Sequence, residues 1–218
     1  MTEQPFIRWD WIADHGDEVW IRFVEHLQLT GIAVAIGALI SFPLAVLAYR
    51  RRLFYGPLTW VTGILYTIPS LALFAMLVPY TGLSVSTAEI GLVSYTLLII
   101  IRNTVAGLDG VEQDAKEAAI GNGYSRRQLL WRVELPLALP AIVAGLRIAL
   151  VTTIGLVTVT ALIGYGGFGY FILLGMDPRF TTAILLGATL SVIFAVGTDR
   201  LLILAERRLT PWARVKAS

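Results

Sequence analysis

The chain has 218 residues, of which 56% are apolar and only 15% charged, with a formal net charge of +2. A water-soluble domain carries roughly a quarter charged residues, so most of this surface is not built to face water. The absence of cysteine excludes disulfides, thiolate catalysis and cysteine-based metal sites.

In chain order, residues 1–18 hold Glu3, Asp10, Asp14, Asp17 and Glu18 against a single Arg8. That is the opposite of the basic start of a signal peptide. Phe6, Trp9, Trp11 and Trp20 lie among these acids, and tryptophan prefers the headgroup zone. Residues 1–22 therefore read as an interfacial segment on the outer face.

Four charge-free runs follow: Leu27–Tyr49, Leu53–Ala88, Ile148–Met176 and Phe180–Thr198. A helix needs about 20 residues to cross the hydrocarbon layer. The first span is expected over 27–49, stopped by Arg50, Arg51 and Arg52. The run from 53 is too long for one crossing, and Pro79-Tyr80-Thr81-Gly82 is a turn signal that divides it. That places a second span over 57–78 and a third over 87–108, with Glu89 and Arg102 near the ends of the third. A fourth is expected over 137–163 and a fifth over 181–205.

Charge distribution orients these spans. Arg50, Arg51, Arg52, Lys116, Arg126, Arg127, Arg132, Arg207, Arg208, Arg214 and Lys216 fall on one side, and only Arg8, Arg22 and Arg179 on the other. Basic residues collect on the cytoplasmic side. The N-terminus is thus expected outside and the C-terminus inside, which needs an odd number of crossings; five fits.

Between the third and fourth spans lies 109–136, the longest internal polar stretch. Val111–Ile120 is rich in good helix formers, Gly121-Asn122-Gly123 supplies a break, and Ser125 is placed to cap a second short helix. Pro136 suits the end of that helix or the start of the next span. A short helix presented on a tight turn suits insertion into a partner's groove. Within it, Glu117-Ala118-Ala119 is followed after three residues by Gly123, after nine more by Val133, and then by Leu135-Pro136.

This spacing resembles the EAA loop of permease subunits of ATP-binding-cassette importers, with Val133 standing where that pattern has Ile. The resemblance extends over nearly the whole chain. Tyr66–Ala72 (YTIPSLA), Leu98–Thr104 (LIIIRNT), Val133–Pro140 (VELPLALP) and the glycine-rich Ala161–Gly169 resemble the osmoprotectant branch, which serves glycine betaine, carnitine and choline. The resemblance implies an all-α integral membrane protein of the type I importer (MetI-like) fold, one permease domain over 1–218 in a bacterial-type cytoplasmic membrane. It implies as partners a cytosolic ATPase dimer, a second permease, identical or homologous, and an external substrate-binding protein, with no nucleic acid. ATP and magnesium would sit on the ATPase, leaving this chain without cofactor, metal or catalytic residues. The coupling residues it implies are Glu117, Ala118, Ala119, Gly121, Gly123, Tyr124, Arg126, Arg127, Leu129, Leu130, Leu135 and Pro136. Leu129 and Leu130 would supply apolar contact to the ATPase, and Arg126 and Arg127 would meet its acids. A permease of the same fold for methionine or another amino acid, and a non-transporting membrane enzyme or scaffold, are the rival readings.

Other signals do not carry chemistry. Gly164, Gly166 and Gly169 spell GxGxxG, but the motif follows a membrane helix instead of a strand; Tyr165–Met176 reads as a short re-entrant or interfacial segment. Lys116 and Lys216 are followed by Glu117 and Ala217, so no P-loop exists. His15 and His26 lack zinc-ligand spacing. Arg147 is expected to snorkel and pair with a coupling-loop acid, and Arg102, Asp199 and Arg200 admit the same structural reading. Small residues at Ala33/Gly37, Gly145 and Gly187/Ser191 suit close helix approach. Pro43 and Pro69 should kink or open their spans, which makes Tyr66, Thr67, Pro69, Ser70 and Tyr95 candidates for lining a path.

Overall fold

The computed structural model describes residues 7–176 and 180–212, and all regular structure among them is helical. Phe6, Arg179, Arg214 and Lys216 lie outside the described residues.

Helix α1 (Trp9–Asp14) is separated by His15 alone from α2 (Gly16–Arg50). Within the segment expected over 1–22, Gly16 onward is continuous with the first long helix. At 1.5 Å per residue its 35 residues reach about 50 Å, more than the apolar layer, so its first turns project beyond that layer. Those turns carry Arg22, paired with Glu18 at 2.7 Å and Glu25 at 2.9 Å. Trp11 stacks on His15 at 4.2 Å and meets Phe180 edge-on at 4.7 Å. The Arg8 amide donates to Thr182 Oγ1 at 3.0 Å. The α1 segment thus docks on the start of the last helix. Helix α2 runs through Pro43.

The expected second span is two helices, α3 (Tyr55–Thr67) and α4 (Ser70–Thr81), meeting at 95°. Pro69 explains the break: it donates no amide hydrogen, and its ring drives the preceding residue out of helical geometry. Ile68 sits at φ −65°, ψ 127°. Neither arm alone is long enough to cross the membrane. The Pro79–Gly82 signal divides the run at its last residue: Pro79 itself lies inside α4, which ends at Thr81. The reversal comes at Gly82, and Ser84 then caps the next helix by accepting from the Thr87 amide.

Helix α5 (Val85–Asp109) is the central element, packed between α2 and α8 (Leu135–Val159) and flanked by α3 and α4. Leu92, Ile100, Ile101 and Leu108 are fully buried along it. Close approach is allowed by glycine. A Cβ on Gly37 would collide with Thr96 Oγ1, and one on Gly145 with the Asn103 side chain. In lipid, where apolar burial alone does not hold helices together, such contacts supply the packing.

The loop forms α6 (Gln113–Gly121) and α7 (Arg126–Leu129). Helix α7 continues through a wide π turn, Leu130–Glu134, directly into α8. The wide turn carries the chain past Pro136, which has no hydrogen to donate. Beyond α8, Gly164–Gly167 turns the chain into α9 (Gly169–Leu174), followed by α10 (Thr181–Leu209). Helix α9 is the short segment expected over 165–176, wedged against α8 and α10 with Phe168 and Phe171 buried. His26 ties it to the bundle: Nε2 donates to the Ile154 carbonyl at 3.1 Å, and the Phe168 amide donates to Nδ1 at 3.3 Å. With the bent pair counted as one, five spans result.

Candidate functional site

Two regions carry chemistry. The first is the knob formed by α6 and α7 at the bundle end that holds Arg50–Arg52. Helix α6 ends in a pair of crossed bonds: the Tyr124 amide donates to the Ala119 carbonyl at 3.1 Å, and the Gly123 amide to that of Ile120 at 2.9 Å. This is the Schellman arrangement, which needs a left-handed residue between helix and exit. Gly123, at φ +80°, supplies it. Gly121 is still helical, so of the expected Gly-Asn-Gly break only Gly123 performs the turn. Ser125 then opens α7 with a reciprocal cap: its Oγ accepts from the Gln128 amide, and Gln128 Oε1 accepts from the Ser125 amide at 2.8 Å.

This geometry sorts the expected coupling residues. Glu117, Ala118, Gly121, Gly123, Arg126 and Arg127 are exposed, and Tyr124 and Leu129 partly so. Glu117 accepts a hydrogen bond from Gln113 Nε2 at 3.1 Å. Leu130 is not a surface contact: it is 2% exposed and packs with Leu108, Val111, Ala138 and Ile142. Leu135 packs against the same cluster, Pro136 is half-buried in the first turn of α8, and Ala119 is buried. Two apolar groups of the loop do protrude, Ile120 at 57% exposed and Trp131 at 62%; sequence reading passed over both, although Ile120 sits beside the EAA triplet. A cavity of about 640 Å³ opens beside the knob, edged by Arg50, Arg51, Ile120 and Tyr124.

Beneath the knob lies a cluster that sequence reading did not assemble. Tyr49 Oη donates to Glu134 Oε1 at 2.6 Å, and Lys116 Nζ donates to Tyr49 Oη at 3.2 Å while standing 3.9 Å from Glu134 Oε1. Lys116 also reaches the Leu108 carbonyl at 3.5 Å. One group of side chains thus joins α6 to α2, α5 and the base of α8. Arg52 pairs with Asp109, and Arg50 reaches the Arg126 carbonyl at 3.4 Å, adding two further ties. Glu134 is 7% exposed. A buried carboxylate is tolerated where a cation and a hydroxyl satisfy it.

The second region is the cleft between α3, the first arm of the bent pair, and α5. Tyr66, Thr67, Trp60, Leu98 and Arg102 line an open cavity of about 670 Å³, with Pro69 exposed and Ser70 half-buried nearby in sequence. Tyr95 does not line it. It is 5% exposed, meets Tyr66 at 5.9 Å and donates its hydroxyl to the Ile68 carbonyl, the acceptor left over by the break at Pro69. Its place is to hold the bend.

Arg147 is anchored differently from the expected loop pairing. Its Nε and Nη2 donate to the two oxygens of Asp199 at 2.8 and 3.1 Å, and Glu206 stands 3.6 Å away, both on α10. Among the described residues no cluster of three or more His, Asp or Glu side chains converges as for a metal ion.

Residues 31–211 match the family described as binding-protein-dependent transport system inner membrane component. The chain belongs to this family. Among its members, it is 36% identical to the choline transport system permease protein OpuBB of Bacillus subtilis, over 92% of each chain. The glycine betaine/carnitine/choline transport system permease protein OpuCD of the same organism is 37% identical, covering 94% of this chain and 90% of the relative. The osmoprotectant import permease protein OsmW of Salmonella typhimurium is 36% identical, over 86% and 89%. The family's fold is seen in an inward-facing MetNI methionine transporter, with a TM-score of 0.73 at 22% identity over 94% of this chain and 98% of that one. The all-helical MetI-like architecture and the placement of this chain in an inner membrane follow from these matches.

Proposed function

We propose that this chain is the permease subunit of an ATP-binding-cassette importer whose cargo is a quaternary ammonium osmoprotectant of the glycine betaine, carnitine and choline class. One observation carries the cargo: relatives named for choline, for glycine betaine/carnitine/choline and for osmoprotectant import align at 34–38% identity. The methionine and amino-acid transporters are similar at 21–23% identity, which shows the fold and does not carry substrate.

The knob of α6 and α7 faces the cytoplasm, with the N-terminus outside; the bias of basic residues toward the Arg50–Arg52 end supports this orientation. Ile120, Tyr124, Arg126 and Arg127 enter a groove on a cytosolic ATPase, which binds ATP and magnesium. Closure of an ATPase dimer displaces the knob, and the cluster Lys116–Tyr49–Glu134 carries that displacement to α2, α5 and α8. ATP biases the arrangement of the spans only as far as the docked ATPase prefers one over the other. Five crossings form an incomplete path, so a second permease subunit pairs with this one, and an external binding protein delivers the cargo.

The test is uptake. The chain is purified in mild detergent with the ATPase that accompanies it, reconstituted into ATP-loaded vesicles and supplied with its binding protein. Uptake of labelled glycine betaine, carnitine or choline, uncompeted by methionine, is the expected result. Competition by methionine with no quaternary ammonium uptake would overturn the cargo, and absence of any ATPase in the purified complex would overturn the importer.

A further inference from the structure

Arg102 lies inside a membrane span, seven residues before the end of α5 and so about 10 Å along its axis from that end. It is exposed, and no hydrogen bond or ion pair joins it to any described residue. The contrast with Arg147 is direct, since that guanidinium is held by two acids. A charge at the centre of a span costs roughly 2.5–3.5 kcal/mol on insertion scales, and less toward an end, where a long side chain snorkels to the interface. Arg102 lines the cavity of about 670 Å³ between α3 and α5, shared with Trp60 and Tyr66 on α3 and with Leu98 one turn away on α5. Among the described residues no acid lines that cavity. Trp60 is 69% exposed and Tyr66 38%.

A wall with a free guanidinium at one place and aromatic rings at another is complementary to a particular ligand class. Aromatic faces attract quaternary ammonium groups, and guanidinium binds carboxylate through paired, charge-assisted hydrogen bonds. A bare cation would meet the rings but be repelled by Arg102. We propose that Arg102, with Trp60 and Tyr66, forms a subsite in the membrane for zwitterions that carry both a quaternary ammonium and a carboxylate. The subsite sets the preference of this permease for carboxylated over non-carboxylated cargo. It rests on the cargo class proposed above and adds selectivity within the membrane to that of the binding protein.

The experiment compares uptake of glycine betaine and carnitine, which bear a carboxylate, with choline, which does not, in vesicles holding the complete transporter. Arg102→Gln is expected to lower glycine betaine and carnitine uptake about tenfold relative to choline, the loss of one charge-assisted pair. Trp60→Ala lowers all three and Trp60→Phe restores them. Equal loss of all three substrates in Arg102→Gln at normal membrane level would overturn the subsite, marking Arg102 as structural, as would no change at all. If Arg102→Gln fails to reach the membrane, the exposed Trp60 decides: unchanged uptake in Trp60→Ala overturns the subsite. A wild-type transporter that takes up none of the three overturns the cargo class instead.

Discussion

Tyr49 Oη donates a 2.6 Å hydrogen bond to Glu134 Oε1, fastening the end of α2 to the π turn that starts α8. Lys116 of α6 donates to the same hydroxyl. The single phenol oxygen therefore stands between the knob and two spans. Tyr49→Phe leaves the buried Glu134 with only a 3.9 Å contact to Lys116. The expected cost is about 1–3 kcal/mol, the range for an orphaned buried acceptor, seen as a lower melting temperature of the purified chain. Uptake per ATP hydrolysed should fall as well, because the knob then loses its Tyr49 hydrogen-bonded tie to α2 and relies more on its continuity with α8. Unchanged coupling would separate this cluster from transmission.

Gly123 carries the second prediction. Its φ of +80° is strained for side chains other than Gly, Asn and Asp, and nothing within 4 Å would obstruct a Cβ. Gly123→Val should weaken the turn by about 1–2 kcal/mol and abolish uptake at normal membrane level. Gly123→Asn, which accepts the same backbone, should keep most of it, whereas Gly123→Asp adds a charge to the docking edge and should lose uptake too. Quantified membrane protein together with initial uptake rates checks all three.

Ile120 and Leu130 should separate docking from stability. Ile120→Asp places a charge on the exposed edge and should remove the ATPase from the purified complex without altering thermal stability. Leu130→Ala empties part of a packed cluster and should destabilise the chain by about 2–5 kcal/mol, read as lost membrane protein. The reverse pattern would invert their assignment.

The Arg147–Asp199 pair gives a test of the span contacts. Arg147→Gln leaves Asp199 without its bidentate partner within a span and should lower the amount of inserted protein. Asp199→Asn in addition should restore much of it, because no unpaired charge is then left within the span. Immunoblots of isolated membranes read the outcome.

Much of this was legible in the residues. Charge-free runs located the spans because a helix crossing lipid must be apolar over about 20 residues, and α5 and α10 begin and end within a few residues of expectation. The spacing from Glu117 to Pro136 marked the knob, since turn chemistry at Gly123 and Ser125 is local. What went astray was rotational or angular. The inward turn of Leu130, the burial of Tyr95 and the partners of Arg147 depend on which helix face meets which neighbour. Pro69 announced a break, but its 95° angle is held by the Tyr95–Ile68 bond between residues 27 apart in sequence.

The residues by themselves determined that this chain crosses a membrane several times, and that a glycine-turned knob interrupts it between the third and fourth crossings. Both follow from solvent preference and local backbone chemistry, which act within a few residues. Tertiary structure decided that Tyr49, Lys116 and Glu134 share one hydrogen-bonded cluster and that Arg102 stands free beside Trp60 and Tyr66. Those placements depend on the packing of α3, α5, α6 and α8 against one another, and a helix turned by 100° about its axis would present different residues.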